Sequence, residues 1–238
     1  MVVRRIAGTP VGPVEQVLKN FHSWDVTPAQ ARAIQEQLRR RLIRRDDFAR
    51  IRTIAGIDIG FEDQGAITRA AVVLLRFPGL DTLEQAVARC HTCFPYVPGL
   101  LSFRELPAAL EALDQLRVQP DLLLCDGQGY AHPRRFGLAC HLGLLTDLPS
   151  VGVAKSRLIG EHGPLDPRKG ARTELRHAGE VIGSLLRTRA GVKPVYVSVG
   201  HRVGLETALD YVLACAVRYR LPEPTHRAHR LASDKQAP

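Results

Sequence analysis

A short apolar run that ends in an acid and a glycine occupies residues 54–60, where the sequence reads IAGIDIG. Two further apolar runs follow at 66–77 and 82–94, and the turn dipeptide Pro78-Gly79 separates them. Short apolar runs bounded by turn residues are typical of strands, and short links between consecutive strands predict an antiparallel meander. We therefore expect the sheet to begin with three antiparallel strands.

Beyond residue 100, helical and strand patterns alternate. Apolar residues that recur every three or four positions predict helices, and short apolar runs predict buried strands. A meander followed by this alternation predicts an α/β fold with a mixed central sheet and flanking helices. The predicted elements are helices from about 101, at 136–145 and at 205–220, and strands at 121–125, 150–154, 181–187 and 195–199.

A single domain spanning residues 1–238 accounts for this pattern, because the sequence shows no internal repeat and no low-complexity linker. A helix is predicted at about 27–45, with Thr27 as its N-cap and Pro28 at its first position. We expect this helix to pack on the domain. The polar residues at about 231–238 predict a loose C-terminal tail.

The chain is strongly basic, with 33 Lys and Arg residues against 24 Asp and Glu residues and a net charge of +9. Most of the basic residues are Arg, whose planar side chain forms paired hydrogen bonds with phosphate, so the composition favours a polyanionic partner. Genomic base composition can also enrich Arg, and the composition leaves both explanations open. The Arg-rich run at 39–45 is either a solvated helix end or a phosphate contact.

Other classes of protein are excluded by the composition. Hydrophobic residues make up 45% of the chain and charged residues 24%, which excludes disorder of the whole chain. No stretch reaches the roughly 20 apolar residues of a membrane span, and the first ten residues lack the apolar core of a signal peptide. We therefore expect a cytoplasmic protein with no membrane partner.

The Cys90-His91-Thr92-Cys93 segment resembles half of a zinc site, but no second Cys pair completes four ligands.

Two carboxylates stand at the ends of predicted strands. Asp58 follows the apolar residues 54–57, and Asp126 follows the apolar residues 122–125. A carboxylate at the end of a buried strand costs desolvation energy unless it is paired or binds a cation. If the two strands are parallel neighbours, the acids meet at one edge of the sheet, where a cation such as Mg²⁺ offsets their repulsion. The alternative is that each Asp caps the turn that follows it.

Three further polar residues each have a local structural interpretation. Glu105 with Ser102 fits the capping box of a helix N-terminus. His132 lies in a loop rich in Gly and basic residues, which suits a close approach to phosphate. Lys155 follows the predicted strand 150–154, where its ammonium group reaches either solvent or a scissile phosphate.

The segment 94–99 reads FPYVPG, in which two prolines stiffen the chain around Tyr96 and Val97. A stiff apolar segment has two interpretations. Either Tyr96 packs in the core of a strand-to-helix connection, or the segment is a wedge that enters a nucleic-acid stack. Local sequence does not distinguish the two.

Taken in order, these segments resemble the endonuclease V family of repair nucleases, which has a ribonuclease-H-like fold. The resemblance covers about residues 20–231, and its most specific parts are the Pro-Tyr-Val-Pro-Gly and Asp-Gly-Gln-Gly segments. The matching segments are ID at 57–58, PYVPGLLSFRE at 95–105, DGQG at 126–129, AHPR at 131–134, HLG at 141–143, VGVAKS at 151–156, KPVYVSVGH at 193–201 and LPEPT at 221–225.

The resemblance implies a nuclease that recognises deaminated purine, chiefly hypoxanthine, in DNA. Family members nick the strand at the second phosphodiester bond 3′ to the lesion with Mg²⁺ or Mn²⁺, and some act on inosine in RNA. We expect DNA containing deaminated bases as the partner, with inosine RNA as a further substrate, and a monomeric protein. The alternatives are an RNA-directed or branched-DNA nuclease of the same fold, and a protein that binds modified nucleic acid without cutting it.

The resemblance also implies roles for individual residues. Asp58 and Asp126 match the principal metal-binding carboxylates, Glu105 matches the third catalytic and metal-binding acid, and Lys155 matches the basic residue near the scissile phosphate. The last catalytic position of the family is an Asp or His, for which spacing favours His229 over His226. Tyr96, Val97 and Pro98 match the wedge with which the family separates the strands. The residues that match the family's region around the flipped base are Gly99, Leu101, Gly127 and His132.

Overall fold

The computed structural model describes residues 21–234. Eight strands in this part of the chain form one sheet: β1 (Thr53–Glu62), β2 (Ile67–Arg76), β3 (Thr82–His91), β4 (Leu122–Cys125), β5 (Ser150–Ala154), β6 (Arg172–His177), β7 (Glu180–Leu186) and β8 (Val195–His201). Their order across the sheet is β3-β2-β1-β4-β5-β8-β7-β6. The predicted α/β class with a mixed sheet is therefore confirmed.

The pairing of the strands matches the sequence prediction in its first half. β1, β2 and β3 form the predicted antiparallel meander. β4 then pairs parallel to β1, and β5 pairs parallel to β4. The remaining strands β8, β7 and β6 are antiparallel to their neighbours. The edge strand β6 has no apolar run, since Leu175 is its one buried residue, and for this reason the sequence pattern did not predict it.

Five α-helices flank the sheet in the described part of the chain. They are α1 (Pro28–Leu38), α2 (Leu101–Asp114), α3 (Leu138–Thr146), α4 (Leu205–Ala214) and α5 (Glu223–Ser233). Thr27 caps α1 as predicted, because its side chain accepts a hydrogen bond from the Gln30 backbone N–H. Pro28 occupies the first turn, where its missing N–H leaves no helical hydrogen bond unmade.

The predicted helix at 27–45 is too long. The α-helix ends at Leu38, and a single 3₁₀ turn (Arg39–Arg41) follows it. The chain then becomes extended because it pairs with the end of β8: the Ile43 N–H donates to His201 Nδ1 at 3.3 Å, and the Arg202 N–H donates to the Ile43 carbonyl at 2.6 Å. Tertiary hydrogen bonds thus override the helical pattern.

The C-terminal prediction also needs correction. The helix expected at 205–220 ends at Ala214, and a separate helix, α5, begins at Glu223. Pro222 is the N-cap residue of α5 and Pro224 lies in its first turn, so these prolines begin a helix that the sequence analysis did not predict. Within the expected loose tail at 231–238, residues 231–233 form the last turn of α5, and 235–238 lie outside the described residues.

Both faces of the sheet are buried. Along β4, Leu122 and Leu124 join a core layer that includes residues of α4 and α5, whereas Leu123 and Cys125 join a layer formed with α2 and α3. A parallel strand covered on both faces is apolar at every position, which explains the continuous apolar run at 122–125. Because β4 is buried at every position, polar side chains of this part of the chain lie beyond its carboxyl end.

Candidate active site

The two acids of the sequence prediction meet beside the end of β4. Asp126 follows β4 directly, and its backbone N–H donates to the Ile57 carbonyl of β1 at 2.9 Å. Asp58 was expected at the end of a strand, but β1 continues to Glu62, so Asp58 lies within it. The last parallel pair joins Ile57 to Cys125, and Asp58 is therefore level with the point where its neighbouring strand stops.

Helix α5 brings a third candidate ligand to these acids. His229 Nδ1 lies 2.9 Å from Asp58 Oδ2. One ligand atom from each of Asp58, Asp126 and His229 lies within 4.8 Å of the other two. The second histidine of this segment, His226, is elsewhere, because its ring stacks on Tyr219 with 3.7 Å between the ring centres.

Close packing of α5 on β1 depends on Gly56. A Cβ atom at this position would lie 2.0 Å from the carbonyl carbon and oxygen of Pro224, in the first turn of α5. Gly56 and Asp58 are two residues apart on β1 and therefore face the same side of the sheet. The missing side chain of Gly56 thus allows the helix to carry His229 up to Asp58.

Lys155 lies next to Asp126, directly after β5. Its Nζ is 2.5 Å from Asp126 Oδ2. The backbone at Lys155 is itself held, because Arg220 Nη2 donates to the Lys155 carbonyl at 2.5 Å and to the Pro194 carbonyl at 2.7 Å. The solvent alternative for Lys155 is therefore only partly correct, since its half-exposed side chain is paired with an acid.

Glu105 lies near the cluster on α2. The capping-box interpretation is wrong, because the N-cap residue of α2 is Leu100 and makes no side-chain hydrogen bond. Ser102 is buried, and its Oγ lies 3.0 Å from His141 Nδ1. Glu105 is not part of the three-residue group defined by Asp58, Asp126 and His229. It is nevertheless close enough for the charges of both acids to act on it.

The electrostatics of these acids favour an additional positive charge. Burial, followed by the charge of Asp126, raises the pKa of Asp58 to about 6, although the His229 hydrogen bond opposes the shift. Burial, followed by the charges of Asp58 and Asp126, raises the pKa of Glu105 to about 8. Asp58 and Glu105 therefore resist ionisation in this cluster, and a bound divalent cation would relieve that cost.

The donor set fits a hard divalent cation. Two carboxylates and one imidazole offer mainly oxygen ligands, which suit Mg²⁺ or Mn²⁺ better than a soft metal. Among residues 21–234 this is the one group of three such side chains close enough to share an ion. The zinc alternative at Cys90 and Cys93 has no such group, and Cys90 Sγ instead donates to Glu111 Oε2 at 2.9 Å.

The segment predicted as a wedge projects from the surface. Tyr96 is 70% exposed, so the alternative that it packs in the core is wrong. The base of the segment is anchored, because Phe94 and Leu100 are buried and pack with Phe103 of α2 and Ala31 of α1. Val97 is partly buried against the same cluster, and Pro98 is exposed.

The other residues matched to the flipped-base region lie at the start of α2 and in the segment that follows β4. Leu101 is exposed at the first position of α2, and Gly127 follows Asp126 and backs onto Leu138 of α3. His132 is 3% exposed, and its Nε2 donates to the Gly99 carbonyl at 3.0 Å. Burial, followed by the charge of Arg134, lowers the pKa of His132 to about 4, so the ring is neutral at pH 7.

Two residues near the site were missed by the sequence analysis. Arg220 holds the backbone of Lys155, and Gln35 of α1 donates to the Gly99 carbonyl at 3.1 Å. Gln35 lies on the same face of α1 as Ala31 and Leu38, both of which are buried. A polar residue on an otherwise apolar helical stripe is a signal that could have identified it. Arg220 lies in an irregular segment and gave no comparable signal.

A mixed sheet with acids beside the end of a parallel strand, flanked by an ammonium and an imidazole group, is the arrangement that the resemblance predicts for a nuclease of the ribonuclease-H-like type. Residues 36–230 match the family model of endonuclease V. The endonuclease V of Roseiflexus castenholzii is 59% identical over 217 residues, which cover 91% of this chain and 97% of the relative. The chain therefore belongs to the endonuclease V family.

Solved structures agree with this assignment. The crystal structure of endonuclease V from Streptomyces avermitilis matches with a TM-score of 0.84 at 44% identity, covering 88% of this chain and 93% of that one. The Ciona intestinalis endonuclease V, crystallised with a 23mer DNA containing an inosine followed by a ribo-adenosine, matches with a TM-score of 0.77 at 28% identity. That match covers 87% of this chain and 97% of the Ciona chain.

No helix in the described part of the present chain is long and apolar enough to cross a membrane.

Proposed function

We propose that the protein is a metal-dependent endonuclease that recognises deoxyinosine in DNA and nicks the strand at the second phosphodiester bond 3′ to the lesion. The observation that carries this proposal is the group of Asp58, Asp126 and His229, with ligand atoms within 4.8 Å of one another, in a chain of the endonuclease V family. The inosine-containing DNA bound by the Ciona relative supports the choice of substrate.

The acids and the imidazole have the first role in the proposed mechanism. Asp58, Asp126 and His229 would hold Mg²⁺, or Mn²⁺ in its place, and Glu105 would complete the metal shell and orient the attacking water. When bound, the metal polarises the phosphate and lowers the pKa of water. Burial and the charges of Asp58 and Asp126 raise the pKa of Glu105 in the metal-free protein, and a bound cation would offset that cost and favour the ionised carboxylate.

Lys155 supplies positive charge next to the reacting phosphate. Its ammonium group is already placed 2.5 Å from Asp126 Oδ2, so it stands beside the metal-binding acids before substrate arrives. Charge that develops on the phosphate in the transition state is stabilised most by a group that does not have to reorganise. The hydrogen bond from Arg220 to the Lys155 carbonyl helps to fix the position of Lys155.

The residues that we assign to recognition of the lesion carry little charge. We assign Tyr96, Val97 and Pro98 to filling the gap left when the damaged nucleotide leaves the stack, because Tyr96 is 70% exposed on an anchored segment. A base in a weakened pair costs less to extrude, which is one source of selectivity. Gly99, Leu101, Gly127 and His132 would then surround the extruded base.

We further propose that the chain acts as one domain and as a monomer in the cytoplasm, with inosine RNA as a second substrate. The five free cysteines support a reducing compartment, since Cys125, Cys140 and Cys215 are buried as thiols. The net charge of +9 would supply affinity for any nucleic acid, and this affinity should fall steeply with salt.

The decisive experiment is cleavage of an end-labelled duplex that carries one inosine, with and without Mg²⁺, followed by mapping of the product. We expect a single nick at the second bond 3′ to inosine that requires the cation. The same chain with Asp58→Asn is the control for contaminating nuclease and should be inactive. Preferential cutting of inosine RNA or of branched DNA would support the corresponding alternative, and binding without cutting would support the non-cleaving alternative.

A further inference from the structure

Gln35 is a buried amide on the helix that precedes the sheet. Its exposed fraction is 1%, and it lies on the face of α1 that otherwise carries the apolar residues Ala31 and Leu38. An amide buried in this way destabilises a protein unless its donors and its acceptor find partners. The partners that Gln35 finds all belong to segments around the wedge.

The hydrogen bonds of Gln35 join three segments. Its Nε2 donates to the Gly99 carbonyl and to the Phe136 carbonyl, both at 3.1 Å. Its Oε1 accepts from Arg134 Nε at 2.5 Å. Because the two carbonyls can only accept and the guanidinium can only donate, the orientation of the amide is fixed by its partners.

The carbonyl of Gly99 is the common point of this network. Besides Gln35, it accepts from Arg134 Nη2 at 2.7 Å and from His132 Nε2 at 3.0 Å. Gly99 has a φ of +77°, a conformation that favours glycine, and a Cβ there would lie 2.8 Å from Arg134 Nη2. Three donors on one carbonyl immobilise the residue that directly follows the wedge segment.

The same carbonyl also connects the wedge to the flipped-base region. His132 donates to it through Nε2, and the Arg134 backbone N–H lies 3.2 Å from His132 Nδ1, which accepts. This pattern fixes the ring orientation of His132. Tyr96, three residues before Gly99, is by contrast 70% exposed and makes no contact of this kind. The wedge is thus held at its base and at Val97, whereas Tyr96 projects freely from it.

We propose that Gln35 and Arg134 are a positioning pair, which holds the base of the wedge in register with the flipped-base region so that the wedge can enter a duplex. The proposal rests on the proposed function of the site. A duplex must be opened before the lesion is reached, whereas a single strand offers its bases without unpairing. Loss of the pair should therefore impair cleavage of inosine in duplex DNA and spare cleavage of inosine in a single strand.

The test compares Gln35→Met with Gln37→Met. Met keeps the length and apolar stem of Gln without its amide, and Gln37 is an exposed residue of the same helix. For Gln35→Met we expect kcat/KM on an inosine duplex to fall about tenfold or more, in keeping with the loss of several hydrogen bonds. Cleavage of the same strand alone should change less than about twofold, and Gln37→Met should match the wild type on both substrates.

Arg134→Lys provides a second variant in case the buried substitution prevents folding. It keeps the positive charge but loses the planar fork that reaches both Gln35 and Gly99. It should show the same selective loss on duplex substrate. Because both residues act on one carbonyl, the double variant should lose less than the product of the single losses. Equal losses on duplex and single strand in both variants would overturn the proposal.

Hydrogen exchange of the free protein gives a readout that does not require activity. Backbone amides of Tyr96, Val97, Gly99 and Leu100 should exchange faster in Gln35→Met and Arg134→Lys than in the wild type or Gln37→Met. Unchanged exchange in this segment would contradict the positioning role even if activity fell. If the wild type failed to cut inosine DNA while exchange increased as expected, the proposed function would fail and the structural coupling would stand.

Discussion

Gly56→Ala should separate His229 from Asp58 without touching either residue. The added Cβ would lie 2.0 Å from the Pro224 carbonyl group, whereas ordinary contacts begin at 3.4 Å, so the start of α5 has to retreat from β1 by the difference of about 1.4 Å. A shift of this size converts the 2.9 Å contact between His229 and Asp58 into one beyond hydrogen-bonding range. Since a misplacement of about 1 Å can cost a hundredfold in rate, we expect kcat/KM to fall by about that factor.

The assay is metal-dependent nicking of an inosine duplex, together with thermal unfolding of the same preparations. Overpacking of this kind costs about 1–3 kcal/mol, which lowers the Tm by several degrees and leaves the protein folded at 25 °C. Gly60→Ala is the matched control, because a Cβ there meets the Ala232 carbonyl of the same helix at an ordinary 4.0 Å. The reasoning is refuted if Gly56→Ala nicks as fast as Gly60→Ala and the wild type.

The remaining predictions concern the acids, the wedge and pH. Asp58→Asn should abolish nicking while binding of inosine DNA remains measurable by gel shift, and undiminished nicking would remove Asp58 from the metal site. Tyr96→Ala should weaken binding of inosine duplex more than of undamaged duplex, and equal losses would argue against a wedge. In the metal-free protein, the raised pKa values of Asp58 (about 6) and Glu105 (about 8) mean that the folded state binds more protons than the unfolded state. Stability should therefore fall as the pH rises from about 4 to about 8. Calorimetry in EDTA measures this fall, and Mg²⁺ or Mn²⁺ should raise the Tm more at pH 8 than at pH 5 because it competes with those protons.

Much of the sheet could be predicted because its central strands are buried on both faces. The run at 122–125 is apolar at every position, and the acid that follows it marks the end of the strand. The polar edge strand β6 carried no such pattern. The prediction that Asp58 stands at the end of a strand was wrong. The neighbouring strand β4 ends beside Asp58, but β1 continues because its other edge remains paired with β2 as far as Ile67.

The parts of the site that local patterns could not predict depend on tertiary contacts. Pro222 and Pro224 suit either the end of one helix or the start of the next, and only the packing of α5 on β1 decides between them. The helix at 28–38 ends where Ile43 finds hydrogen-bond partners at the end of β8. The role of Gln35 depends on carbonyl groups 64 and 101 residues away in the chain, which no local pattern reveals.

The position of His229 on α5 has a consequence for protein synthesis. Asp58 and His229 are separated by 171 residues, and Asp126 is made between them. At roughly 5–20 residues per second, the ribosome needs on the order of 10–30 s after making Asp58 to supply the last of the three. A nascent chain that already contains β1 and β4 therefore still lacks one side chain of the proposed metal site. Translation that stops before α5 leaves a product with both acids but without the imidazole, so a truncated chain is released with the proposed site incomplete.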